Sequence, residues 1–209
     1  MSDLARARRF SGPAIAALLL VFTGIPIAIS FVRMGQIPLG ALPPDAVKFT
    51  AVPFGHFFHA AGGAVFGILG PLQFSRALRG RIGRLHRWLG RVFVLAGLAL
   101  GLTSLRLVLQ FPDAGTWILV TARFVMGAAL LGALVLGLRA ALLRDLARHR
   151  AWMIRAYAIG MGAATIALIM FPIFIITGAP LTGYVSDLAF VGSWVINITI
   201  GEWVIRRWP

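Results

Sequence analysis

The chain has no cysteine and only six acidic residues among 209. The missing thiols exclude disulfides, iron–sulfur clusters and cysteine nucleophiles, and leave the redox compartment open. Charged residues of both signs make up 12%, against about 25% in soluble domains. No phosphate-binding loop, nucleophile triad or metalloprotease motif occurs. What fills the chain instead is apolar sequence, 59% of it, with a mean hydropathy of +0.90. One core of a protein this size could not hide so much apolar surface from water.

The apolar sequence falls into six windows, near 10–32, 52–75, 89–110, 115–138, 154–178 and 188–205. Each approaches the roughly 20 helical residues that cross about 30 Å of hydrocarbon. They do not alternate as barrel strands do. The reading is an all-α integral membrane protein, a six-transmembrane-helix bundle forming one domain over 1–209. Arg6, Arg8 and Arg9 precede the first window as in a signal peptide, but the window is too long and closes on no small-residue cleavage site. It reads as a retained helix. Pro26 and Pro172 lie mid-window and are expected to kink the first and fifth spans. Gly63 with Gly67, and Gly97 with Gly101, are GxxxG pairs suited to close helix packing.

The net charge of +14 would suggest nucleic acid in a soluble protein. Here topology accounts for it. With both termini cytoplasmic, sixteen of the twenty basic residues fall on the inner side, leaving Arg33, Lys48, Arg106 and Arg123 elsewhere. That positive-inside pattern places the chain in a bacterial inner membrane and makes nucleic acid an unneeded partner.

The two inner loops end alike. His86-Arg87-Trp88 continues to Arg91 and Phe93; His149-Arg150 is followed by Trp152, Arg155 and Tyr157. His-Arg and then Trp-x-x-Arg-x-aromatic thus recur at an offset of 64, with one extra residue in the second copy. The second and third spans then form one hairpin, and the fourth and fifth a second of the same topology. These segments carry a family resemblance. Leu69-Gly70-Pro71-Leu72-Gln73-Phe74, the run from Arg84 to Arg91, the second motif copy, and the ending from Asn197 to Glu202-Trp203 resemble the bacterial membrane family known as domain of unknown function 2306. The resemblance covers about 54–207 and implies the membrane fold but no activity. Members often carry a second arginine past the tyrosine of the fifth helix; 163–170 is uncharged here.

Ionisable residues within a bilayer are costly and point to function. An outer group comprises His56, His59, Arg106 and Arg123. The histidines, three apart, share a helix face. No acid falls within the outer halves of the windows, so the cations call for an outside acceptor. Haem propionates, quinone carbonyls, a lipid phosphate or backbone carbonyls would serve. The plainer alternative is that the arginines snorkel to the interface while the histidines bond neighbouring carbonyls. Zinc is poorly served, with no carboxylate or cysteine beside the histidines.

An inner group comprises His86, Arg91, His149, Arg155 and Glu202, flanked by Trp88 and Trp152. Matched depth would let His86 and His149 hold a haem between two imidazoles. Glu202 can pair with Arg206 along its own helix, or reach Arg91 or Arg155 and tie the repeats together. Three functions remain in play: a haem-, quinone- or lipid-binding membrane protein; an accessory subunit of a membrane complex or homo-oligomer; and a small transporter, which lacks an intramembrane acid for coupling.

Overall fold

The computed structural model describes residues 13–43, 46–74 and 83–207. Arg6, Arg8 and Arg9, Asp45, and Arg76, Arg79 and Arg81 of the first inner loop lie outside the described residues. The described chain is helical, with no strand: α1 (Pro13–Phe22), α2 (Gly24–Gln36), a 3-10 turn (Val47–Ala51), α3 (Pro53–Phe74), α4 (Gly83–Gln110), α5 (Trp117–Leu142), α6 (Leu146–Gly160), α7 (Gly162–Thr177) and α8 (Gly183–Arg207). Five helical stretches are long and apolar enough to cross a membrane, with α6 and α7 counted together; the bent pair α1–α2 would make six.

The bend between α1 and α2 is 50°. Pro26 has no N–H to give the carbonyl four residues back, and Thr23 occupies the break. Its hydroxyl lies 3.0 Å from Leu19 O and 3.5 Å from Gly67 O of α3. The fifth span departs from expectation. Its interruption falls at Met161, between Gly160 and Gly162, while Pro172 lies inside the uninterrupted α7. Ile159 O near this break accepts from Trp194 Nε1 of α8 at 3.1 Å, so the side chain of α8 satisfies a carbonyl next to the break.

Three helices run past their apolar windows into charged sequence: α4 begins at Gly83, α6 at Leu146 and α8 at Gly183. Both copies of the His-Arg/Trp-x-x-Arg motif are therefore helical. Asp145 caps α6 by accepting from Arg148 N at 3.0 Å.

Helix α3 packs against α1, α2, α4 and α6, α5 packs between α4 and α6, and α7 closes onto α2. Leucines and isoleucines such as Leu95, Leu102 and Ile176 face outward, as lipid requires. The core is built of aromatic and small residues. Phe66 and Leu134 are fully buried, Phe93 stacks on Phe66 at 4.3 Å between ring centroids, and Tyr157 lies 6.0 Å from it. The final aromatic of each motif copy thus packs on the same ring. The closest α3–α4 approach uses Gly62 rather than the Gly63/Gly67 pair: a Cβ there would lie 2.9 Å from Ala96 O. Gly97 and Gly101 instead admit Leu134 and Leu131 of α5.

Candidate functional site

Above this core lies a cavity of about 340 Å³, within the range of small-molecule sites. Its rim holds Phe49, Phe111 and Ala114; its floor holds Leu130, Ile159 and Gly160. From Val120 to Leu130 on α5 it extends about 15 Å at 1.5 Å per residue, half the hydrocarbon thickness. Phe66, Phe93 and Leu134 continue the helices below that floor and close the bundle toward the other end.

Three of the four outer-group residues line this cavity: His56, His59 and Arg123. Arg106 does not; it is exposed on α4. His56 and His59 leave the same face of α3. His59 Nδ1 is 3.3 Å from Thr103 Oγ1, and the Thr103 hydroxyl gives its proton to Ala99 O at 2.6 Å. The oxygen therefore accepts from His59 Nδ1–H. His56 is 9% exposed, its ring packs 4.8 Å from that of Phe49, and its Nδ1 has no hydrogen-bond partner among the described residues. It is a buried polar atom at the wall of a cavity.

One acid, Asp187, enters the bundle beside the start of α5. Because α8 begins at Gly183, Asp187 lies within the helix and is buried, 5% exposed. Its carboxylate accepts from Thr116 N at 2.6 Å, capping α5 from another helix, where negative charge is favoured. Arg123 Nη1 donates to Ala114 O at 2.9 Å and the guanidinium lies over the Phe190 ring at 5.4 Å. Arg123 lines the cavity; Asp187 is not among its lining residues. Ser104 and Trp194 add a hydroxyl and an indole to the lining.

At the inner end, Glu202 meets Arg155 in a two-point ion pair, Arg155 Nε to Oε1 at 2.6 Å and Nη2 to Oε2 at 3.1 Å. Trp152 stacks on the guanidinium at 4.7 Å. The pair joins α6 to α8. Arg91 and Trp88 are exposed on α4. His149 Nδ1 engages Gly137 O of α5 at 2.8 Å. Neither His86 nor His149 lines the outer cavity or a second one, of about 310 Å³, beside Arg155 and Glu202.

The sequence pointed to the cavity's cations and missed Asp187, Thr103, Phe190 and Trp194. Asp187 directly precedes an apolar window, a place normally outside the membrane; nothing in the local pattern shows that its carboxylate turns inward to cap another helix.

A family model described as "Predicted membrane protein (DUF2306)" matches residues 56–205, and the chain belongs to that family. No curated protein and no solved structure matches it.

Proposed function

Proceeding from a membrane protein of the DUF2306 family, we propose that this chain binds a small neutral molecule bearing acceptor oxygens, of the quinone type, in its outer cavity. The carrying observation is the lining itself: Arg123 and His56, whose buried Nδ1 has no partner among the described residues, face a cavity that is otherwise mostly apolar or aromatic. A neutral acceptor meets these donors without bringing a further charge into an apolar space. The buried nitrogens, hydroxyl and guanidinium suit carbonyl acceptors, and the remaining lining is apolar or aromatic. A bis-histidine haem needs two imidazoles on opposite sides of one iron, which two residues of a single helix face do not provide.

The reading carries a topology: six crossings, with α1–α2 as one bent span, both termini in the cytoplasm of a bacterium, and the cavity facing outward. The arginine distribution supports it. A duplicated hairpin, α3–α4 and α5–α6, is also proposed. Supporting it, His59 and Arg123, 64 residues apart, line one cavity, and Phe93 and Tyr157, at the same offset, flank Phe66.

Trp194 in the lining provides the assay. Short-chain quinone titrated into detergent-purified protein is expected to quench tryptophan emission saturably, with the saturable part lost in Trp194→Phe. His56→Ala or Arg123→Leu should weaken binding by about tenfold each, the worth of one hydrogen bond to a buried or charged donor. Linear, non-saturable quenching in the wild type refutes the reading.

A further inference from the structure

The second cavity adjoins the first at Ile159, which lines both, and draws its walls from three of the same helices, α5, α6 and α8. On α5 the outer cavity is lined by Met126 and Leu130, and the second by Ala129, Ala133 and Leu136. On α8 Trp194 gives way to Ile198, one turn on, and then to Gly201. On α6 Gly160 gives way to Ala158 and Trp152, and Ile159 lines both. The small residues Ala129, Gly132, Ala133 and Gly201 leave the second space open. Apart from the Arg155–Glu202 pair at its inner end, with Trp152, it is apolar.

We infer that the two cavities are one track for a single amphipathic molecule. Its polar head sits at His56 and Arg123, and its apolar chain passes Ile159 into the groove between α5, α6 and α8. This rests on the head-group reading above and assigns the ligand a long hydrocarbon tail, the chemistry of an isoprenoid quinone. The groove from Ala129 to Leu136 is about 10 Å long. Aliphatic chain gains little by leaving lipid for protein, so the groove acts by fixing where the tail lies. It thereby selects tailed molecules by fit. The Arg155–Glu202 pair spends its charge internally and closes the far end.

The test is positional. A quinone carrying a photoreactive diazirine on its tail is irradiated with the full-length protein in nanodiscs, and labelled peptides are mapped; a second probe carries the diazirine on the head. Tail labelling is expected on 129–136 of α5 and 198–201 of α8, and head labelling on α3 near His56. Gly132→Leu fills the groove at a glycine whose Cβ would meet nothing within 4 Å. It should cut tail labelling at these sites by about tenfold or more while sparing head labelling. Head labelling with the tail mapped only to lipid-facing Val195, Ile196 and Ile200 overturns the track and leaves the outer site standing. Loss of both labels from the wild type overturns both.

Discussion

Asp187→Ala tests the contacts that hold the 114–116 segment at the rim of the outer cavity. The substitution removes a charged hydrogen bond of 2.6 Å to Thr116 N, worth about 1.5–3 kcal/mol. It also removes a favourable charge at the start of α5, worth about 0.3–1 kcal/mol. The expected loss is about 2–4 kcal/mol. At about 2–4 °C per kcal/mol for a chain of this size, the midpoint of thermal unfolding in detergent should fall by about 5–15 °C. Asp187→Asn keeps an acceptor for Thr116 N and loses the charge, so it should cost less. Because Asp187 and Arg123 both hold the 114–116 segment, through Thr116 N and Ala114 O, adding Arg123→Leu to Asp187→Ala should cost less than the two single losses combined, a coupling of about 1 kcal/mol. A midpoint unchanged within 1–2 °C in Asp187→Ala, or strict additivity in the double variant, would refute the reasoning.

Glu202→Ala should cost about 1–2 kcal/mol, at the lower end for a charged pair because each side chain is about a third exposed; exchanging the two as Arg155→Glu with Glu202→Arg should restore part of it, read by the same thermal assay. Tyr157→Phe should raise the midpoint by a few degrees, since the buried hydroxyl finds no partner among the described residues. Gly62→Ala should destabilise by about 1–3 kcal/mol, its Cβ meeting backbone atoms of α4 that cannot move aside. The absence of native cysteine makes sidedness directly measurable: Asp113→Cys should react with an impermeant maleimide on intact cells, and Arg144→Cys only after permeabilisation.

The apolar windows located the spans because lipid imposes a continuous apolar run wherever a helix crosses. The windows stop at the first arginines, whereas the helices do not. Gly83 to Trp88 and Leu146 to Arg155 stay helical, since a basic side chain leaves the helical backbone hydrogen bonds intact and arginine is a good helix former. The break at Met161 was masked by a more familiar signal, Pro172, although Gly160 and Gly162 flank it. Gly162 also leaves room for the Trp194 ring, and a Cβ there would collide with it. His56, His59 and Arg123 were legible as costly groups in apolar sequence. Their separation from Arg106 was not, because helix facing toward lipid or bundle depends on packing partners. Nor was the tie between Arg155 and Glu202 distinguishable from a pair within α8: both geometries satisfy the same carboxylate, and only the placement of α6 against α8 decides between them.

The central claim is that the outer cavity holds a neutral acceptor-bearing head group between His56 and Arg123. An experimental density map of the protein in nanodiscs containing isoprenoid quinone tests it most directly. The account predicts planar density against His56, Arg123 and Trp194 with a chain running past Ile159. Quinone density confined to the lipid-facing surface, with nothing ordered in the cavity, would contradict it.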